Sequence, residues 1–263
     1  MTDNVILMNF TGIYKEQQFY QGRSPVWIDL EQLTGCSCYC DTEAADTIRE
    51  RIEEFSGAEI HFLDSGNYHY MSLLWLEKVK VPFRLILFDN HTDMQPPAFG
   101  GLLSCGGWAA EALEKLPNLK ELVLIGPAES DFEQADPELR KRVRYLSREK
   151  LRELPGDEVK EFFAGLPREL PCYLSVDKDI LCPEDASTAW SQGDMRLEEL
   201  VEYLRIIFKN QNILGMDVCG EGDPDSHESR LCNDRANARL AECAERIFGE
   251  QRKRGHRYYD DNI

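Results

Sequence analysis

Short apolar segments with the composition of β-strands recur along the chain. They are rich in Val, Ile, Leu and Phe, and most are bounded by Gly, Pro, Asn or Asp residues that are typical of turns. The predicted strands are Val5–Phe10, Val26–Leu30, Ile60–Leu63, Leu85–Phe88, Leu122–Ile125, Val143–Leu146, Cys172–Val176 and Ile213–Val218. Continuous apolar runs of this kind indicate strands that are buried on both faces of a sheet.

Between many of these segments, apolar residues recur at intervals of three and four, which predicts amphipathic helices. The predicted helices are Thr42–Phe55, Met71–Val79, Gly107–Leu116, Val159–Phe163, Arg196–Phe208 and Asp234–Phe248. Alternating strands and helices predict an α/β fold, a mostly parallel sheet with helices on both faces. The chain has 263 residues, without a long linker or an internal repeat, so we expect a single domain over residues 1–263.

Acidic and histidine side chains follow two of the predicted strands. Leu85–Phe88 runs directly into Asp89, His91 and Asp93, which are spaced two residues apart. Later, Cys172–Val176 runs into Asp177 and Asp179 with the same spacing. In an extended chain, alternate side chains project to one side, so each set can converge on one point. Ligands bind at the carboxyl ends of strands in such sheets, and two ends of this kind can hold two cations.

A third strand, Ile60–Leu63, leads into a turn of small residues that ends at His69. With the five residues above, His69 completes a set of two imidazoles and four carboxylates. This mixture of oxygen and nitrogen ligands suits Mn²⁺ or a similar divalent ion better than a metal that prefers thiolates. His61 lies within the strand itself and is expected to be a core or surface residue rather than a ligand.

The order and form of these motifs resemble the arginase family, the ureohydrolases. The matching elements are Gly66-Asn67-Tyr68-His69, Asp89-x-His91-x-Asp93 and Ser175-x-Asp177-x-Asp179, followed by a strand that ends in an acidic segment, Gly215–Pro224. The resemblance implies a three-layer α/β/α fold with a binuclear manganese centre. It implies that Asp89 and Asp177 bridge two Mn²⁺ ions, that His69 and Asp93 complete one ion, and that His91 and Asp179 complete the other.

Outside the metal ligands, the chain departs from the family pattern. Glu221 lies four residues after Asp217, whereas the family's guanidinium-binding Glu lies three after its Asp; Gly220 stands in that place. Glu221 is therefore a candidate either for substrate binding or for capping a turn. His227 is a candidate acid or base, with a surface position as the alternative.

The loops that would surround a substrate also differ from the family's. The loop from Met94 to Gly107 lacks the family's histidine, and its Ser104 and Cys105 either donate to a ligand or support close helix packing. Trp190 either narrows the pocket or covers the edge of the sheet. Substrate recognition is therefore the least determined part of the site.

Composition limits the partners of the chain. The formal net charge is −18, which argues against a nucleic-acid or anionic-membrane surface and suits a small, cationic ligand better. No apolar stretch approaches the roughly 20 residues of a membrane span, and the first ten residues lack the features of a signal peptide, so we expect a cytoplasmic protein. The sequence leaves open whether the protein forms a homo-oligomer.

The nine cysteines are expected to be reduced, because their number is odd and the chain is large enough to fold without disulfides. Cys36, Cys38 and Cys40 alternate along one segment, which leaves a soft-metal or redox site open. No neighbouring Cys or His pair completes a zinc site, so small packing residues are the simpler interpretation.

Two functional hypotheses follow. The first is a binuclear Mn²⁺-dependent hydrolase of a non-peptide C–N bond in a guanidino, amidino or related small substrate, with an amide deacylase as a lesser variant. The second is a metal-binding protein of the same family without catalytic turnover.

Overall fold

A computed structural model describes residues 5–55, 57, 60–96 and 101–253 of the chain. Its centre is an eight-stranded sheet with the order β2-β1-β4-β10-β9-β5-β7-β8. These strands are β1 Val5–Asn9, β2 Val26–Asp29, β4 Ile60–Phe62, β5 Phe83–Phe88, β7 Leu119–Ile125, β8 Val143–Leu146, β9 Cys172–Asp177 and β10 Ile213–Cys219. All neighbouring pairs are parallel, so the carboxyl ends of the strands lie along one edge.

Helices cover both faces of this sheet. The helices are α1 Thr42–Arg51, α2 Met71–Leu76, α3 Trp108–Lys115, α4 Glu129–Phe132, α5 Pro137–Arg140, α6 Arg148–Glu153, α7 Gly156–Ala164, α8 Leu197–Asn210 and α9 His227–Lys253. Over the described residues, none of them is long and apolar enough to cross a membrane. The three-layer α/β/α fold predicted from the sequence is confirmed.

The alternation of side chains along β5 shows how the layers are built. Leu85 and Leu87 belong to one buried cluster, which includes apolar residues of α1, α2 and α3. Ile86 and Phe88 belong to a second cluster on the opposite face, together with residues of α7, α8 and α9. Because both faces of the strand are buried, its sequence is continuously apolar rather than alternating.

The structure also contains elements that the apolar pattern did not predict. A two-stranded antiparallel ribbon pairs β3, Tyr39–Cys40, with β6, Leu103–Ser104. The short helices α4, α5 and α6 have no buried residues, so no apolar stripe marks them in the sequence. The last helix begins at His227, seven residues before the predicted start at Asp234, because its first four residues, His-Glu-Ser-Arg, are polar and add nothing to the apolar pattern.

The turn after β7 depends on a glycine that approaches the predicted metal-binding segment. Gly126 has a φ of +114°, and a Cβ at this position would lie 2.3 Å from the backbone oxygen of Asp89. At Gly156, the first residue of α7, no described atom outside its own helix backbone and chain neighbours lies within 4 Å of the corresponding position. The two glycines therefore form a matched pair for substitution.

We expect Gly126→Ala to lower the free energy of unfolding by roughly 2 to 4 kcal/mol, because the added methyl group is both strained and overpacked. Gly156→Ala should change it by less than about 1 kcal/mol. Urea unfolding followed by circular dichroism measures both values. Equal stability of the two variants would contradict this account of the turn.

Candidate metal centre

The residues of the site lie on or after four strands that are neighbours in the middle of the sheet. Their order is β4-β10-β9-β5. His69 comes after β4, Asp217 lies on β10, Asp177 ends β9, and Asp89 follows β5 directly. Since all four strands are parallel, their carboxyl ends bring segments that are far apart in sequence to one edge.

The segment after β5 converges by bending rather than by extended alternation. The strand ends at Phe88, and the Oδ1 atom of Asp89 accepts a hydrogen bond of 2.6 Å from the backbone N–H of His91. Asp93 has a φ of +49°, in the left-handed region. Strained backbone of this kind is often found at functional sites. The expectation of an extended segment is thus wrong, although its three side chains do face a common region.

The segment after β9 is also turned. Asp177 caps the 3-10 turn Lys178–Ile180, because its Oδ1 atom accepts a hydrogen bond of 2.9 Å from the backbone N–H of Asp179. One oxygen of Asp179 accepts from the backbone N–H of Asn90 at 2.9 Å. The first bond fixes Asp177 within its own turn, and the second fixes Asp179 against the segment that follows β5.

The six predicted side chains come together in two adjoining groups. The Nδ1 atom of His69 lies 3.0 Å from Asp93 Oδ2, 3.3 Å from Asp89 Oδ2 and 3.4 Å from Asp177 Oδ2. The Nδ1 atom of His91 lies 2.7 Å from Asp179 Oδ2 and 3.6 Å from Asp89 Oδ1. Asp89 therefore has one oxygen in each group. Asp177 contacts the first group and caps Asp179.

The chemistry of these groups fits divalent cations. A histidine nitrogen donates at most one hydrogen, yet three carboxylate oxygens surround Nδ1 of His69. The four carboxylates are almost completely buried. Burial and mutual repulsion raise the pKa of Asp177 and Asp179 above the ordinary carboxyl range. Positive charge at this point relieves the repulsion, and two divalent ions would supply it.

The same carboxylates also change the pKa values of the two imidazoles. Burial by itself would lower the pKa of His91, but its bonds to Asp179 and Asp89 raise it to about 11. Burial of His69 is likewise outweighed by Asp89 and Asp93, so its pKa is raised well above the usual value. The site therefore favours positive charge on both histidines when no cation competes.

A cavity of about 220 Å³ opens onto the two groups. All six candidate ligands line it. Its remaining lining residues are Cys38, Tyr39, Gly66, Gln95, Ser104, Cys105, Gly106 and Trp190. The cavity is small, which suits a small organic substrate.

Side chains that hydrogen-bond to the candidate ligands, and so hold them in position, were not identified from the sequence. The Nε2 atom of His69 lies 3.0 Å from Ser175 Oγ, which donates a hydrogen bond of 2.6 Å to Asp217 Oδ1. This series of hydrogen bonds holds the ring of His69 so that its Nδ1 atom faces the carboxylates. Ser175 belongs to the Ser-x-Asp-x-Asp motif, so its position in that motif was an available signal.

Trp108 is a second partner of this kind. Its indole Nε1–H donates a hydrogen bond of 2.5 Å to Asp93 Oδ2 and is completely buried. In the sequence, Trp108 is fifteen residues from Asp93 and lies in an apolar helix. No motif marks it, so only the packing of α3 against the site identifies its role.

The structure does not support substrate contact by Glu221. Its carboxylate forms a buried ion pair with the ammonium of Lys178 and accepts further hydrogen bonds from Gln17 and Asn237. Gly220, in the family's Glu position, has a φ of +94°, and a Cβ there would lie 2.4 Å from Asp177 Oδ1. The chain at this point therefore turns Glu221 away from the cavity and into the core.

Two further expectations concern residues near the site. His227 is exposed at the start of α9 and does not line the cavity, so the surface alternative describes it better. Cys36 and Cys40 are buried among apolar side chains, whereas Cys38 lines the cavity. Among the described residues, neither candidate metal-binding group contains a cysteine. The three sulfurs are therefore split between core and cavity.

A sequence model of the arginase family matches residues 13–244. The chain belongs to the arginase family. It is 30% identical over 227 residues to an uncharacterized protein of Thermotoga maritima, covering 84% of this chain and 81% of that one. Formimidoylglutamase from Bacillus subtilis has a TM-score of 0.70 at 15% identity, with 93% of this chain and 86% of that chain covered. Formiminoglutamase from Trypanosoma cruzi, solved with Mn²⁺, has a TM-score of 0.66 at 14% identity, with 94% of each chain covered.

The resemblance inferred from the motifs is therefore confirmed at the level of the family. The two solved structures share the arginase-like fold of this chain. Family membership and the two groups of candidate ligands support a metal-dependent amidinohydrolase in general.

If the two groups hold divalent cations, we expect Trp108→Phe to weaken their binding by about 10- to 100-fold, because Asp93 loses the donor that orients it. Trp75→Phe is the matched control, since Trp75 is equally buried and its indole Nε1 has no hydrogen-bond partner among the described residues. Isothermal titration calorimetry measures both affinities. The same loss of affinity in both variants would show a packing effect rather than an effect of the hydrogen bond.

The Lys178–Glu221 pair gives a prediction for stability. Glu221→Gln leaves a buried ammonium without its counter-charge, so we expect a loss of about 3 to 5 kcal/mol in the free energy of unfolding. The double variant Lys178→Met/Glu221→Gln should be less destabilised than Glu221→Gln. Lys141→Met, which breaks an exposed ion pair with Glu138, should cost less than about 1 kcal/mol. Chemical denaturation tests this order, and an unaffected Glu221→Gln variant would contradict it.

Proposed function

We propose that this arginase-family chain is a binuclear, Mn²⁺-dependent hydrolase of a non-peptide C–N bond in a small guanidino, amidino or related substrate. The observation that supports it most directly is the position of Asp89. One of its oxygens lies near His69 and Asp93, and the other lies near His91 and Asp179. A carboxylate shared between two groups in this way is suited to bridging two ions.

The residues of this chain would have distinct tasks. His69, Asp93 and Asp89 would hold one ion, while His91, Asp179 and Asp89 would hold the other, with Asp177 as a second bridging candidate. Bound divalent cations supply Lewis acidity, which makes water a nucleophile near neutral pH. Ser175 and Asp217 keep the Nδ1 atom of His69 turned towards the site.

The cavity wall determines what reaches this centre. The buried position of the carboxylates limits access of bulk water, and the opening admits a substrate of modest size. Glu221 and His227 are not included in the proposed catalytic machinery, because neither lines the cavity. The position of both residues outside the cavity favours the alternative of metal binding without turnover. The assay below distinguishes this alternative from hydrolysis. We also propose a cytoplasmic location, which the free state of all nine thiols supports.

The decisive assay combines metal content with turnover. Mn²⁺-loaded protein is incubated with guanidino, amidino and acylated amine compounds, and the release of urea, ammonia or amine is measured. We expect two ions per chain and product from a guanidino or amidino compound. Two bound ions without any product would favour the metal-binding alternative, whereas amine release from acylated compounds alone would favour a deacylase.

We expect Asp89→Asn to lose both ions and all turnover, because this residue contributes to both groups. His91→Ala should lose the ion on its own side more readily than the other. Asp46→Asn, on the exposed surface of α1, serves as the control with unchanged metal content. Elemental analysis after dialysis gives the stoichiometry, and an Asp89→Asn protein that retains two ions would disprove the shared-ligand arrangement.

A further inference from the structure

Exposed aromatic side chains are concentrated at the cavity. Among the described residues, the large hydrophobic side chains that remain exposed are Trp27, Tyr39, Trp190 and Leu231. Tyr39 and Trp190 both line the cavity of the candidate metal centre. Trp190 has 43% of its surface accessible, so part of this side chain is available for contact with a ligand. Exposed apolar surface at the mouth of a cavity is typical of a ligand-binding wall.

The indole of Trp190 is held in a defined position. Its Nε1–H donates a hydrogen bond of 3.0 Å to Asn67 Oδ1, and its backbone oxygen accepts one of 3.0 Å from Thr188 Oγ1. The ring lies against Gly66, where a Cβ would come within 2.7 Å of the indole Cδ1 atom. A rigid aromatic wall binds a ligand with little loss of side-chain entropy.

This wall begins next to the candidate metal ligands. The ring of Trp190 lies 6.0 Å from that of His91, in an edge-on arrangement. The neighbouring Ser191 hydroxyl lies 2.8 Å from Nε2 of the same histidine. A substrate whose reactive carbon sits at the metal centre would therefore extend its remaining part along the indole.

The second aromatic residue is tied to the same turn. The backbone oxygen of Asn67 accepts a hydrogen bond of 3.2 Å from the backbone N–H of Cys38, next to Tyr39. Asn67 thus connects the segment of Tyr39 to the indole of Trp190. Tyr39 and Trp190 come from distant parts of the sequence, but Asn67 is hydrogen-bonded both to the indole of Trp190 and to the backbone next to Tyr39.

The rest of the cavity lining is uncharged. Beyond the six candidate ligands, the described lining residues include no Asp, Glu, Lys or Arg. Two divalent ions would offset the formal charge of the four carboxylates. A charged tail on the substrate would then lose hydration without gaining a counter-charge.

We propose that Trp190, together with Tyr39, determines the specificity of this site and selects substrates with an uncharged, apolar or aryl tail. This inference rests on the proposed function, because it concerns the substrate of the same centre. The aromatic faces contact the tail, while the metal centre receives the guanidino or amidino group. Amino-acid and diamine tails bind less well, because the wall offers them no ionic partner.

The test uses the Mn²⁺-loaded full chain and guanidines that differ only in the tail. Butylguanidine and phenylguanidine have uncharged tails, whereas 4-aminobutylguanidine and 4-guanidinobutanoate have charged ones. Binding is measured by calorimetry and by quenching of tryptophan fluorescence, and urea release is measured in parallel. We expect affinity and kcat/KM to be at least about tenfold higher for the uncharged tails.

Three variants separate the role of the indole from a general effect. Trp190→Ala should remove most of the preference between tails while two ions remain bound, and Trp190→Phe should retain most of it. Trp27→Phe, at the other exposed tryptophan, should leave the preference unchanged.

Stronger binding of a charged tail, or a Trp190→Ala variant that weakens all four compounds equally, would overturn the proposal while leaving the hydrolase intact. If no compound binds or reacts when two ions are present, the proposed function fails and this inference fails with it.

Discussion

The arrangement of the site depends on four carboxylates that are buried together at one edge of the sheet. Such a cluster is unfavourable unless positive charge lies among its oxygens, because burial and repulsion both oppose ionisation. Two imidazoles face these carboxylates through their Nδ1 atoms, and Asp89 extends between both groups. The electrostatic requirement for positive charge therefore belongs to the folded chain, since it follows from burial and proximity.

The parallel sheet makes this crowding achievable. Its middle strands β4, β10, β9 and β5 end at one edge, and each supplies or supports a ligand there. The strands themselves are anchored in two apolar clusters, one on each face. The hydrophobic stabilisation of these clusters compensates for the strained backbone and buried charge at the edge.

Around this centre, the chain has its own polar and aromatic surroundings. Lys178 lies between two candidate ligands in sequence, yet its ammonium points into the core and pairs with Glu221. This pair removes from the cavity the carboxylate that the family pattern had suggested for substrate binding. Trp190, in contrast, places an aromatic side chain in the cavity lining. The six candidate ligands thus match the family pattern, whereas the residues around them depart from it.

The sequence by itself determined the α/β architecture, the family and the set of six candidate ligands. These properties depend on local patterns, namely apolar runs of strand length and short motifs at their ends. The shared position of Asp89 was already implied by the family resemblance, whereas only the tertiary structure decided that Trp108 supports Asp93 and that Glu221 faces the core. Each of these depends on side chains from distant segments meeting in three dimensions, and the direction of a side chain after a turn is set by backbone bends such as those at Asp93 and Gly220. Spacing in sequence contains no record of those bends, which is why the extended geometry expected after β5 was wrong although its residues were well chosen.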